Sequence, residues 1–262
     1  MTHLEGPARP LASLVGLVGL VGLTLLAGGC GDGAAGGEET TVTVFAAASL
    51  QEPFDEIGDK FEAAHPGTRV DLAYAGSSTL VEQIRQGAPA DVLATADERT
   101  MGTLADAGLA AAEPVAFASN TLRIAVPAGN PAGVTDLASL TADGLNLVVC
   151  APQVPCGAAT GRVESAAGLS FSPVSEEQSV TDVLTKVSSG EADAGLVYAT
   201  DILRGGDAVE GIPFPEAEAA VNIYPLTTVE GAEQAELGQE FVDLVLSPAG
   251  QDVLADHGFA GP

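Results

Sequence analysis

Short apolar runs alternate with helical patterns along most of this chain, starting near residue 42. Runs of mostly β-branched or aliphatic residues, bounded by Gly, Pro or polar residues, predict buried strands. Apolar residues spaced three or four apart predict one face of a helix. The strands are predicted at 42–46, 69–74, 91–94, 121–126, 145–150, 170–174, 194–198, 209–214 and 221–226. The helices are predicted from about 50 up to the stop at 65–67 and at 79–86, 98–107, 157–167, 180–188, 232–246 and 248–257.

This alternation of strands and helices predicts an α/β fold with mostly parallel sheets. About nine or ten strands are many for one sheet, so two sheets, each flanked by its own helices, are the simpler arrangement. The stretches 119–126 and 221–228 are candidates for the two segments that cross between them. We therefore expect two lobes, one formed by residues 41–120 and 225–262 and the other by residues 121–224.

The N-terminal region is typical of an export signal rather than of a folded domain. Residues 11–27 are apolar and uncharged, and the small residues after them lead to Cys30. This resembles a bacterial lipoprotein signal, in which such a cysteine is lipidated after cleavage, although Ala27 stands where Leu is usual. We expect a signal peptide at 1–29 and a Gly-rich, acidic tether at 30–40. An uncleaved anchor and an ordinary signal peptide are the alternatives, and each also places the folded part outside the cytoplasm.

The charge balance narrows the range of partners. Nine Lys and Arg residues stand against 36 Asp and Glu residues, which gives a formal net charge of −27. Nucleic-acid binding is therefore disfavoured, because it requires basic patches. Local donors can still hold a small anion, since distant surface charges are screened by salt. The absence of Trp and the low aromatic content make a sugar-stacking site less favoured.

The two cysteines of the mature chain predict a disulfide. Cys150 and Cys156 lie close in sequence, and exported proteins fold in an oxidising compartment. A metal site is the alternative, but His65 and His257 have no other candidate ligand near them in sequence.

Four strand-to-helix junctions and the end of one strand are candidates for ligand binding, because helix N-termini carry unpaired N–H groups that suit anions. Each also has a simpler interpretation. Ser49, with Glu52 three residues later, fits a capping box, and Ser77 begins a hydroxyl-rich loop. The segment around Cys156 has the composition of a Pro-fixed turn, Val180 follows Ser179 as a capped helix start, and Tyr198 suits the core equally well. The junctions lie at 46–50, 76–80, 154–157 and 179–182, and the strand end is Tyr198.

Catalysis has little support in the sequence. No G-x-S-x-G segment is present, and no His lies beside a Ser. A secreted hydrolase using Ser49 or Ser77 would need a general base within reach. A lipid-anchored structural protein is a further alternative, for which a set of donors in a cleft would serve no purpose.

Taken together, the junctions resemble the molybdate-binding proteins of bacterial molybdate ABC importers, over nearly all of residues 42–259. The matching segments are VFAAASL at 44–50, SSTL at 77–80, GAPADV at 87–92, AD at 96–97, VPCG at 154–157, GLVY at 195–198 and HGF at 257–259. The resemblance implies a type II periplasmic-binding-protein fold, in which a small oxyanion is held between two lobes joined by crossover segments.

Carried over residue by residue, the family's ligand contacts fall on Ser49, Ser77, Cys156, Val180 and Tyr198. Family members usually have Ala where this chain has Cys156, and that contact resembles a backbone N–H donor, so the side chain need not abolish it. A disulfide to Cys150 would then stiffen the rim of the site. The resemblance implies molybdate or tungstate as the ligand, with molybdenum present only in the oxyanion and without direct protein ligands. Sulfate or another tetrahedral oxyanion is the alternative.

The resemblance also implies a role in import rather than catalysis. The protein is expected to need no cofactor, to act as a monomer and to deliver its ligand to the membrane permease of an ABC importer. The chain contains no G-x-x-x-x-G-K-[ST] loop, so it is not expected to hydrolyse ATP itself. The lipid on Cys30 would hold it at the cell membrane.

Overall fold

A computed structural model describes residues 39–262. The predicted signal peptide and lipidated Cys30 lie outside the described residues, as does the predicted tether up to residue 38. The strands are β1 Thr40–Ala47, β2 Thr68–Ala75, β3 Val92–Ala94, β4 Val115–Asn120, β5 Leu122–Pro127, β6 Leu147–Cys150, β7 Ser175–Glu177, β8 Ala194–Tyr198, β9 Val209–Ile212 and β10 Asn222–Thr228. The helices are α1 Gln51–Ala64, α2 Ser77–Arg85, α3 Glu98–Asp106, α4 Pro155–Ala167, α5 Val180–Ser188, α6 Ala199–Gly205, α7 Ala235–Leu246 and α8 Pro248–Asp256.

The strands form two five-stranded sheets, as predicted. Sheet 1 has the order β2-β1-β3-β10-β4, and sheet 2 has the order β7-β6-β8-β5-β9. In sheet 1, β10 is antiparallel to both of its neighbours, and the other strands run in one direction. In sheet 2, β5 is the antiparallel strand. Each sheet is therefore mostly parallel with one reversed strand, and the predicted α/β class is confirmed.

The chain crosses between the sheets twice. β4 in sheet 1 is followed, after Thr121, by β5 in sheet 2. It returns from β9 through a 3-10 helix at Pro215–Ala220 to β10 in sheet 1. We call sheet 1 with α1–α3, α7 and α8 lobe 1, and sheet 2 with α4–α6 lobe 2. The lobe bounds expected from the sequence remain a prediction; the bound at 224/225 lies inside β10.

Both faces of each sheet are covered by helices, which explains why the parallel strands read as apolar runs. In β1, Val42, Val44 and Ala46 are fully buried, as are the helix residues Leu50, Phe54, Ile57 and Phe61 predicted to form one apolar face. The rings of Phe54 and Phe61 each contact that of Phe241 on α7, at centroid distances of 5.9 and 5.6 Å. This packing holds α1 and α7 on sheet 1.

Three local elements differ from the prediction, and one of them is strand β4 at Val115–Asn120, which was not predicted. The strand expected at 170–174 is absent: the backbone N–H of Phe171 bonds to a Glu164 carboxylate at the end of α4, and the side chain of Val174 is 62% exposed. The backbone N–H of Val174 donates to the Leu147 carbonyl of β6 at 2.9 Å, and the paired strand starts at Ser175. Helix α6 was not predicted. Within residues 39–262, no helix is both long and apolar enough to cross a membrane.

Candidate functional site

The five residues that the family resemblance implies as ligand contacts surround one small cavity between the lobes. Ser49 and Ser77 reach it from lobe 1, and Cys156, Val180 and Tyr198 from lobe 2. The cavity has a volume of about 10 Å³, on the scale of one water-sized group. A sugar or a peptide does not fit between the lobes in this conformation. Ala47, Ala48, Ala75, Gly76, Ala96, Val154 and Pro155 complete its lining.

Each lobe brings helix N-termini to the cavity because a strand ends just before each helix. β2 runs into α2 through Gly76, whose extended backbone turns the chain into the helix at Ser77. In lobe 2, α4 begins with Pro155 in its first turn, and Ser179 caps α5 by accepting a hydrogen bond from the Asp182 N–H at 3.2 Å. The first N–H groups of a helix have no partner within the helix, so these junctions present donors to the cavity.

The capping-box interpretation of Ser49 is wrong. Ser49 lies within a 3-10 turn, Ala48–Leu50, and neither this turn nor α1 has a side-chain cap. Its hydroxyl instead lies 3.1 Å from that of Tyr224 on β10. The capping pattern fails because the 3-10 turn delays the start of α1. The Ser49 side chain is 6% exposed and lines the cavity.

The other two hydroxyls of the cavity each accept a hydrogen bond from a group behind them. The backbone N–H of Ala96 donates to Ser77 Oγ at 3.0 Å, and the side-chain amide of Asn222 donates to the Tyr198 hydroxyl oxygen at 2.8 Å. Burial raises the pKa of both Tyr198 and Tyr224 well above the ordinary value. Both phenols are therefore protonated at neutral pH and can act as O–H donors.

A buried ion pair lies next to the cavity. Asp201 is 1% exposed; it accepts hydrogen bonds from the Tyr198 N–H and from Arg204, at 2.9 and 2.8 Å. Burial raises the pKa of Asp201 to about 6, and this effect outweighs the opposing influence of Arg204. Arg204 also donates to the carbonyl of Ala48 in lobe 1 at 3.3 Å and to Thr181 at 3.0 Å. The charge of Arg204 is thus balanced locally, and neutral donors dominate the cavity lining.

Cys150 and Cys156 form the predicted disulfide, so both sulfurs are occupied and the metal-site alternative is wrong. The disulfide closes a short loop at the cavity rim. Within that loop, the carbonyl of Gln153 accepts hydrogen bonds from the Ser78 hydroxyl at 2.6 Å and from Arg99 at 2.7 Å. Both donors belong to lobe 1, so this carbonyl connects the lobes. Among residues 39–262, no group of three or more His, Cys, Asp or Glu residues is placed to hold a metal ion.

Sequence reasoning missed the residues that support the cavity from behind. Asn222 and Tyr224 lie on β10, far in sequence from the residues they contact. Their only signal was the occurrence of polar side chains in a predicted crossover strand. Asp201 and Arg204 were missed as well, because helix α6, which carries both residues, was not predicted.

The arrangement suits the binding of an anion rather than nucleophilic catalysis. Ser49 bonds to a phenol and Ser77 to a backbone N–H. In the part of the chain that the structure describes, neither serine is bonded to a His, Asp or Glu that would serve as a base.

The sequence matches a family model described as "Bacterial extracellular solute-binding protein" over residues 42–260. It is 50% identical, over 222 residues, to the molybdate-binding protein ModA of Mycobacterium tuberculosis, which covers 85% of each chain. It is 30% identical to a Bacillus subtilis relative, YvgL, whose name describes an ABC transporter substrate-binding lipoprotein; the match covers 90% of this chain and 93% of that one.

Solved structures share the fold. The periplasmic molybdate-binding protein of Azotobacter vinelandii superimposes with a TM-score of 0.73 at 20% identity, covering 84% of this chain and 99% of that one. The sulfate-binding protein SubI of Mycobacterium tuberculosis gives 0.70 at 19% identity, covering 85% and 87%. At such identities the likeness concerns the fold, so these two structures do not separate one oxyanion from the other.

Proposed function

Because the chain belongs to the bacterial extracellular solute-binding proteins, we propose that it captures molybdate or tungstate between its two lobes and delivers the oxyanion to an ABC importer. Of the relatives that match most of its length, one is named a molybdate-binding protein and another a substrate-binding lipoprotein of an ABC transporter. The chain is accordingly a binding protein and not an enzyme. The observation that carries the proposal is the convergence of helix starts and hydroxyls from both lobes on one small cavity.

The donors around the cavity fit a tetrahedral anion without protons. We assign the ligand contacts to the hydroxyls of Ser49, Ser77 and Tyr198 and to backbone N–H groups at Cys156 and Val180. An anion without protons only accepts hydrogen bonds, so every one of these groups can be satisfied at once. Singly protonated phosphate would present an O–H group that needs an acceptor, and an unsatisfied buried group costs about 1–3 kcal/mol.

Sulfate satisfies the same donors, since it also carries two charges and no proton at neutral pH. Discrimination against it therefore depends on size, and a rigid cage is needed to sense size. The disulfide at the rim supplies part of that rigidity. Support for molybdate over sulfate comes from the sequence, through 50% identity to a molybdate-binding protein. Tungstate and molybdate differ too little in size for these contacts to separate them.

Capture proceeds by closure of the lobes around the anion. In the open form, the lobe 1 donors Ser49 and Ser77 and the donors of lobe 2 face solvent. The anion bridges the two sets of donors, and the Gln153 carbonyl then accepts hydrogen bonds from Ser78 and Arg99 of the opposite lobe. The closed form docks on the permease. No cofactor enters this cycle.

The location follows from the family and from the N-terminal sequence. The family is extracytoplasmic, and the name of the Bacillus subtilis relative includes lipoprotein. We propose that Cys30 carries the lipid that anchors this protein to the cell membrane, and that residues after it form the tether. A monomer is sufficient, because one chain supplies all the proposed ligand contacts.

Calorimetric titration with molybdate, tungstate, sulfate and phosphate tests the proposal. We expect one-to-one binding of molybdate and tungstate, much weaker binding of sulfate and no binding of phosphate. Equal or preferred binding of sulfate would show that the protein carries a different oxyanion. Absence of binding to any of the four anions would refute the ligand assignment. Ser49→Ala and Tyr198→Phe should weaken molybdate binding, whereas Ser188→Ala, on the exposed side of α5, should not.

A further inference from the structure

The Tyr198 hydroxyl oxygen accepts a hydrogen bond from a residue outside the cavity lining. Asn222 is the first residue of β10, at the return crossover, and is 1% exposed. Its amide nitrogen donates to the Tyr198 oxygen and to the Ala96 carbonyl, each at 2.8 Å. Its amide oxygen accepts a hydrogen bond from Arg162 at 2.5 Å. One amide thus connects a carbonyl of lobe 1 with two side chains of lobe 2.

The chemistry of these partners permits only one orientation of the amide. Arg162 can only donate and the Ala96 carbonyl can only accept. A flipped amide would turn its N–H groups toward the guanidinium and its oxygen toward the carbonyl, so both contacts would become repulsive. The Asn222 nitrogen, and not its oxygen, therefore faces Tyr198.

This orientation decides what the phenol can offer to a ligand. A phenol facing an acceptor would donate its proton to that acceptor. Facing an N–H donor, the Tyr198 oxygen uses a lone pair, and its proton remains free for another partner. The neighbouring hydroxyl of Tyr224 is one acceptor, but a dianion forms a considerably stronger hydrogen bond than a neutral phenol.

We propose that Asn222, held by Arg162, is a positioning residue for anion recognition that reserves the Tyr198 proton for the bound oxyanion. This inference rests on the proposed function, because it takes Tyr198 to face the anion. Asn222 itself does not line the cavity. It acts through Tyr198, and the contact with Ala96 ties the same amide to the strand-to-helix junction behind Ser77.

The substitution Asn222→Asp tests the direction of the proton with almost no change of shape. The new carboxylate pairs with Arg162 but can only accept from Tyr198, so the phenolic proton turns away from the anion. We expect molybdate affinity to fall about 10- to 100-fold, the value of one hydrogen bond to a charged group, with the variant still folded.

The added negative charge would also repel the anion, and a double-mutant cycle with Tyr198→Phe separates the two effects. In the Phe background no phenolic proton exists, so only the added charge and the lost hydrogen bond to the Ala96 carbonyl remain as effects of Asn222→Asp. We expect the loss caused by Asn222→Asp to be at least about 5-fold smaller in that background. Equal losses in both backgrounds would overturn the inference. If the unaltered protein binds no molybdate, the proposed function fails instead.

Arg162→Met provides a second test in case Asn222→Asp does not fold. Arg162 lies on the exposed side of α4, so its replacement should leave folding intact while allowing the amide to flip. We expect affinity for molybdate to fall about 3- to 10-fold, and not to fall in the Tyr198→Phe background. Arg85→Met is the matched control, because that exposed arginine pairs with Glu82 on α2 and its removal changes the net charge equally. Equal effects of the two arginine substitutions would contradict the inference.

Discussion

Gly76 is the position where a single added carbon should prevent closure of the lobes. A Cβ at this residue of lobe 1 would lie 2.0 Å from the Gln178 carbonyl oxygen of lobe 2 and 3.5 Å from a methyl group of Val154. Its backbone, with φ −60° and ψ 135°, is one that any residue adopts. Gly76→Ala therefore introduces a clash between the lobes without straining the backbone of lobe 1.

The clash can be relieved only by moving two backbones apart. Real Cβ atoms essentially never approach another atom within 3.0 Å, so the separation must grow by about 1 Å. Such a shift would lengthen the hydrogen bonds from Ser78 and Arg99 to Gln153, now 2.6 and 2.7 Å, beyond hydrogen-bonding distance. Hydrogen bonds to a bridging anion would stretch as well. Loss of one hydrogen bond to the anion costs about 1.5–3 kcal/mol, and weaker contacts between the lobes cost about 1 kcal/mol more. Together these costs predict that molybdate affinity falls by about 100-fold or more.

Calorimetric titration with molybdate measures this loss directly. The matched control is Gly102→Ala on α3, where an added Cβ has nothing within 4 Å. Both variants should fold, because opening of the lobes removes the clash at Gly76, and only Gly76→Ala should bind weakly. Unchanged molybdate affinity in Gly76→Ala would refute the reasoning that closure brings these backbones into contact. A large loss of thermal stability would show that the lobes cannot separate enough to accommodate the methyl group.

Three further outcomes are expected. Reducing the Cys150–Cys156 disulfide should lower the free energy of unfolding by about 2 kcal/mol, as estimated from its short loop, and denaturant titration with and without a reductant measures this. Burial raises the pKa of Asp201 to about 6 from the ordinary 3.8, so the folded protein retains a proton that the unfolded chain loses in this interval. The stability of the unaltered protein relative to Asp201→Asn should therefore fall by up to about 3 kcal/mol between pH 4 and pH 7 and then level off; a flat difference would contradict the raised pKa. Arg99→Gln should speed molybdate release about 3- to 5-fold, the effect of weakening one exposed hydrogen bond to Gln153, and an unchanged release rate in stopped-flow experiments would show that this contact does not hold the lobes closed.

The sequence predicted the architecture because local patterns determine it. Apolar runs marked most strands, and the face formed by Leu50, Phe54, Ile57 and Phe61 is buried as expected. The failures occurred where local signals conflict with packing. The residues at 170–174 resemble a strand, but the bond of Phe171 to Glu164 keeps the segment attached to the end of α4. Ser49 fits a capping pattern in the sequence, but in the structure it lies in a 3-10 turn and its hydroxyl is beside that of Tyr224.

Some residues of the candidate site could likewise be predicted from the sequence, and others could not. Ser77, Cys156 and Val180 lie at helix starts that local sequence marks, so their positions could be found without a structure. The positions of Asn222 and Tyr224 could not be found in this way, because the chain brings them to Tyr198 and Ser49 only after it has returned to sheet 1. Asn222 and Tyr198 also lie on strands of different sheets. Periodicity carries no information about such contacts, since it describes each element alone.

An acidic protein can bind a dianion in this way because the short-range field of the cavity differs from that of the surface. The net charge is −27, and its field acts through solvent, where salt screening weakens the field beyond about 8 Å. In the cavity, α2 of lobe 1 and α4 and α5 of lobe 2 present their positive ends. If two such ends, each equivalent to about half a charge, are taken to lie about 8 Å apart, they repel by about 0.5 kcal/mol at an effective dielectric constant of about 20. A dianion about 4 Å from each attracts each one by about 4 kcal/mol under the same assumptions. The helix ends therefore oppose closure only weakly without the anion and favour it with the anion, so binding of the anion promotes closure of the lobes.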